Sequence, residues 1–157
     1  MENKESVAIT GASEQADALL EEHLGEFSPD VQNITRAALE SAEVEGILQN
    51  EEVSEEELSE ALGALQEALL EGPGLDFAER DLLRRTGAPA SVPEQAAVMA
   101  KAAKVASQRA QKKAATARDE ATRRKASKLE RLLKAIEDFF RGLGDPPTPP
   151  KPKPQEA

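Results

Sequence analysis

His23 is the one histidine of the chain, and it lies among Glu21, Glu22 and Glu26. A metal site needs more preorganised donors than one imidazole with carboxylates a turn away. A Ser-His-Asp nucleophile needs an elbow or an oxyanion hole, and nothing near His23 marks either. A solvated surface histidine is the expectation. The carboxylates between Glu51 and Glu60 lack the alternating Asp or Asn ligands and the central glycine of a calcium loop. They read as a helix start whose acids complement the helix dipole. Gly72 and Gly74 flank Pro73 with no Lys-Ser or Lys-Thr after them, which makes a turn and not a phosphate cradle. No catalytic residue, cofactor-binding residue or metal ligand is therefore expected, no small-molecule substrate, and the chain reads as non-enzymatic.

Charge carries more information. Residues 1–99 hold 23 acids and 5 bases, net −18, whereas residues 100–134 hold 12 bases and 3 acids, net +9, inside a total of −10. The bases are Lys101, Lys104, Arg109, Lys112, Lys113, Arg118, Arg123, Arg124, Lys125, Lys128, Arg131 and Lys134. Spread along a helix, such side chains can neutralise phosphates without reading sequence, meet an acidic protein, lie against the acidic front of their own chain, or simply be solvated. No aromatic residue interrupts the run as single-strand stacking would require.

An apolar face follows the bases. Leu129, Leu132, Ile136, Phe139 and Leu143 fit an a/d heptad register, and Leu133 and Phe140 widen it. This face has three possible uses: a partner's groove, a membrane surface anchored by Phe139 and Phe140, or docking on the chain's own bundle. Beyond it, Pro146 to Lys151 spell a Pro-x-x-Pro-x-Lys string in a Pro-rich tail, read as a solubilising segment.

The elements that would position these groups are all helical. The chain has 157 residues, no Cys, Trp or Tyr, and four Phe, so its core must be Leu, Ile, Val and Ala. Lack of cysteine excludes disulfides and suits a reducing compartment. Met1 to Thr10 hold acids and no apolar run, so a secretory signal is not expected, and no stretch approaches 18 apolar residues. An intracellular, cytoplasmic protein is the expectation, or one assembled into a larger particle.

Residues 1–12 show no periodicity and read as a disordered arm. A helix is predicted from Ser13 to Gly25, and a second from Ser28 as N-cap with Pro29 at its first position, burying Val31, Ile34, Ala38 and Leu39. Ile47 and Leu48 continue the helical pattern after a break at Gly46. Ser54 and Glu57 form a capping box for a third helix that ends at Gly72, and Asp76 and Glu79 form another for a short helix with Phe77, Leu82 and Leu83 as its apolar face. That helix should stop at Gly87 and Pro89. Ser91 and Glu94 start the last one, after which neither Gly nor Pro occurs until Gly142. One continuous helix on the order of 75 Å long is the expectation.

Its middle is poor in large apolar groups. Residues 106–128 contain no Leu, Ile, Val, Phe or Met. Met99, Ala103, Ala106, Ala110, Ala114, Ala117 and Ala121 form a narrow stripe with a period near 3.67. Alanine buries little area, so this part should be exposed, with Asp119–Arg123 and Glu120–Arg124 pairs supporting it.

The predicted architecture is all-α: a disordered arm (1–12), an acidic helical domain (13–90), one long basic and amphipathic helix (91–144) and a Pro-rich tail (145–157). The layout is similar, in charge and shape, to that of some bacteriophage capsid-scaffolding proteins. The leading expectation is a scaffold, adaptor or chaperone-like protein of virion or secretion-system assembly that holds a protein partner or self-associates. Nucleic-acid association through 101–134 is the alternative, and peripheral membrane binding through 126–143 the third.

Overall fold

Hydroxyls and carboxylates open every helix among the described residues, which are 10, 13–84 and 90–144 of a computed structural model. Helix α1 (Glu14–Leu24) starts on Ser13, α2 (Pro29–Glu40) on Ser28, α3 (Ala42–Asn50) on Ser41, α4 (Glu55–Glu71) on Ser54 and α6 (Val92–Thr116) on Ser91. Asp76 opens α5 (Phe77–Leu82), and Asp119 opens α7 (Glu120–Gly144), where its carboxylate accepts the Thr122 N–H at 2.9 Å. Each oxygen satisfies an orphan backbone donor of a first turn. The three capping boxes expected at Ser54, Asp76 and Ser91 are all formed. The all-α class is established, and no helix among the described residues is long and apolar enough to cross a membrane.

Two expectations about continuity are corrected. The single rear helix is two. Chain direction reverses at 117–119, where Ala117 takes extended backbone angles (φ −68°, ψ 141°), and α6 and α7 pack against each other as a hairpin. In the front half the break falls at Ser41 and not at Gly46. Ser41 Oγ donates to Ala38 O at 2.7 Å and accepts from Val44 N, so one side chain ends α2 and begins α3, while Gly46 lies inside α3.

The hairpin seam pairs small residues with large ones. Ala96, Met99, Ala102, Ala103 and Ala106 of α6 are buried, as are Leu132, Leu133, Ile136 and Phe140 of α7, within one apolar cluster that also includes Leu20, Val31, Leu48 and Leu62 from the front half. Alanine brings the α6 backbone close, and the bulky α7 side chains supply the volume that a close-packed interior needs. Helices α2, α3 and α4 pack on the hairpin, and α1 lies against α2 and α4. Front and rear therefore share a core.

Two polar ties lock the elements. Gln95 is 2% exposed, accepts from Ser28 Oγ at 2.6 Å and donates to Asp30 and to the carbonyl of Ala90, joining the start of α6 to the start of α2. His23 reaches from α1 to Ser59 Oγ at 2.9 Å and Gln66 Oε1 at 3.4 Å on α4, against Gly63. The histidine expected on a solvated surface is an interhelix contact.

Phe77 departs from expectation too: it is 76% exposed, whereas Leu83 of the same expected face is buried. The arm 1–12 apart from Thr10, the helix stop at Gly87 and Pro89, and the tail from 145 lie outside the described residues.

Candidate functional site

The basic stretch is divided by the fold into spent and free cations. Lys125, Lys128 and Arg131 follow one another at three-residue spacing on α7 and meet acids at or near the start of α4. Lys125 Nζ is 2.9 Å from Glu60, Lys128 Nζ 2.9 Å from Glu57, and Arg131 grips Glu51 through two N–H donors at 2.7 and 2.9 Å. Lys101 pairs with Glu79, and Arg124 with Glu120 one turn before it. Arg123 donates to the carbonyl of Ala117 and acts on Asp119 only through its charge, since that carboxylate caps α7. Lys104, Arg109, Lys112, Lys113, Arg118 and Lys134 are exposed and have no carboxylate partner among the described residues.

Titration follows these contacts. The Arg131 guanidinium, hydrogen-bonded to Glu51, holds that carboxyl below its usual range and is itself raised in return. For Glu57, partial burial pushes the pKa up, but the Ser54 N–H and the Lys128 ammonium outweigh it and the net shift is downward. Glu60 holds Lys125 above its ordinary value. Hydrogen bonds from Thr122 lower Asp119.

The apolar residues expected as a partner-binding face are in the core. Leu129, Leu132, Leu133, Ile136 and Phe140 are buried, and Phe139 and Leu143 pack half-buried against them. The chain's own bundle covers most of that face, leaving Phe139 and Leu143 half-buried and the edges of Ala126, Leu129 and Leu133 at a groove. Docking on the bundle is the use the fold makes of it.

What the fold creates instead is an open groove of about 580 Å³ between α4 and the turn end of the hairpin. Ala64, Ala106, Ala110, Ala126, Leu129 and Leu133 make its floor; Glu60 and Glu67 stand on the α4 side, Arg109, Lys113 and Lys125 on the hairpin side. The half of the alanine stripe that does not fill the seam lines this groove or stays open at the tip. Thr122 supplies the groove's one hydroxyl. A smaller depression of about 320 Å³ lies between Ala97 and Lys104 of α6 and Glu137 and Arg141 of α7, where Glu137 is 4% exposed and paired with Arg141.

From residue 111 to residue 124 no side chain is buried, whereas Ala106, Ser107 and Ala126, near the ends of the stretch expected to be exposed, are buried, and the exposed part is a bend and not part of a rod. No group of three or more metal-ligating side chains converges among the described residues. Comparison with protein-family models, with curated proteins and with solved structures returned no match.

Proposed function

We propose that the protein is a non-catalytic assembly or adaptor protein that receives an amphipathic helix of a partner protein in the groove between α4 and the α6–α7 hairpin. The observation that carries this reading is the groove's construction. Ala64 and Ala110, both partly exposed, let a partner backbone approach closely, and the nearly covered Ala106, Ala126, Leu129 and Leu133 make an apolar floor beneath them.

The two rims set the chemistry of the occupant. A helix lying in the groove meets cations along the hairpin and carboxylates along α4, so an apolar stripe with acids on one flank and bases on the other is the complementary pattern. Glu60 and Lys125 already pair across the groove end, which leaves Glu67, Arg109 and Lys113 as the orienting charges. The groove's one hydroxyl, that of Thr122, donates to Asp119 at 3.0 Å as part of the cap that opens α7.

A designed helical peptide with a Leu stripe, Glu on one flank and Lys on the other tests the reading by fluorescence anisotropy. The patterned peptide is expected to bind, and a permuted peptide of equal composition to bind at least tenfold more weakly, a difference of about 1.4 kcal/mol. Ala110→Glu should abolish the difference. Equal affinity for both peptides, or no binding of either, removes the proposal.

A further inference from the structure

The hairpin tip carries a second surface, which shares Arg109 and Lys113 with the groove rim. Between residues 108 and 124 stand six cations, Arg109, Lys112, Lys113, Arg118, Arg123 and Arg124, against two acids, Asp119 and Glu120. Asp119 is occupied in capping α7 and Glu120 in pairing with Arg124, so Arg109, Lys112, Lys113 and Arg118 face solvent with no carboxylate partner among the described residues, and Arg123 has only the charge of Asp119 near it. Lys112, Arg118, Arg123 and Arg124 do not line the groove.

We infer that this tip binds the phosphate backbone of duplex nucleic acid without reading its sequence. One observation favours that ligand over an acidic protein, and two more narrow the mode of contact. No Leu, Ile, Val, Met or aromatic residue occurs in 108–124, so the tip offers none of the apolar centre on which protein interfaces close, while phosphate contacts need only charge and N–H donors. Four of the six cations are arginines, whose planar fork matches phosphate oxygens. Absence of an aromatic platform disfavours splayed single strands.

The rest of the chain carries a net −14 against +4 for the tip. A polyanion is repelled by the body and held at the tip alone. That confines the contact to at most six phosphates and sets a ceiling on its salt dependence, because each neutralised phosphate contributes about −0.9 to the slope of log K against log salt. A slope of about −4 to −5 is expected, steep but well short of a fully basic protein.

The experiment is a salt titration of the full chain against a short DNA duplex, an RNA duplex of the same sequence and poly-glutamate, read by anisotropy from about 50 to 200 mM salt. Both duplexes are expected to bind, with poly-glutamate at least tenfold weaker. The triple variant Lys112→Gln, Arg118→Gln, Arg123→Gln should reduce the slope by about 3 and leave the groove peptide's affinity unchanged. Lys104→Gln with Lys134→Gln, free cations outside the tip, should alter neither. Three results overturn the inference: no duplex binding, equal binding of poly-glutamate, or equal weakening by the two sets of variants. Unchanged peptide binding in the tip variant keeps a failure here distinct from a failure at the groove.

Discussion

Glu57 Oε1 accepts from the backbone N–H of Ser54 at 3.0 Å and from Lys128 Nζ at 2.9 Å, so one carboxylate both caps α4 and fastens α7 to it. The Lys128–Glu57 pair is the most shielded of the three ion pairs that α7 makes with residues 51–60, with side-chain exposures of 20% and 18%.

Glutamine can still close a capping box but cannot pair with an ammonium. Glu57→Gln is therefore expected to lower unfolding stability by about 1 kcal/mol, and Glu57→Ala by about 2 kcal/mol because the cap is lost as well. Urea unfolding measures both. A Gln variant as damaging as the Ala variant would show that the cap contributes nothing.

Acid should loosen the hairpin from α4. Glu51 and Glu57 have folded-state pKa values below the ordinary 4.5, so their contribution is complete above the unfolded value and is lost as pH falls through the folded one. Lys125, raised above 10.5, contributes fully below its unfolded value and loses that contribution as pH climbs through its folded value. Chemical unfolding is expected to give a flat stability between about pH 6 and pH 9 and a decline below and above it. A Glu51→Gln, Glu57→Gln variant should flatten the acid limb.

Phe140 and Leu132 are fully buried beneath the front helices. Phe140→Ala is expected to cost about 3–5 kcal/mol and Leu132→Ala about 2–5 kcal/mol. Phe77→Ala, at an exposed position of the same residue type, should change stability by less than about 0.5 kcal/mol. Thermal unfolding of the three variants separates them.

Two glycines should respond in opposite directions. A methyl at Gly46 meets nothing within 4 Å, so Gly46→Ala in α3 should stabilise by about 0.5–1 kcal/mol. At Gly144 the added carbon falls 2.7 Å from the Ala97 backbone nitrogen, where backbone must shift to admit it. Gly144→Ala is expected to destabilise, and hydrogen exchange should quicken at the end of α7.

Helix starts were legible because a cap is local: Ser or Asp with Glu three residues on declares itself within one turn. The bend at 117–119 was hidden for the converse reason. Ala115, Thr116, Ala117 and Arg118 contain no breaker, and Asp119 reads equally well as a partner for Arg123. A signal was nonetheless present in the seam, where small residues at 96–106 and large ones at 129–140 lie on either side of residue 118 as the two halves of one interface. Burial of Leu129 to Phe140 was among the readings of that face, but no local pattern could choose it. The groove was illegible, since it arises only where α4 crosses the hairpin. His23 and Gln95 were missed because the side chains they meet on other helices lie more than 30 residues away.

The bend without glycine or proline has one more consequence. What separates α6 and α7 is one capping carboxylate and the core they share, and neither requires that both helices belong to one molecule. Two chains that straighten residues 117–119 can trade their α7 segments and rebuild every seam contact in trans, the route by which hinge segments yield exchanged dimers. Such a dimer would form only on partial unfolding and in proportion to concentration, and Asp119→Ala, which removes the cap holding the bend, is expected to raise its share in light-scattering chromatography. For this chain, the boundary between one molecule and two rests on a three-residue turn.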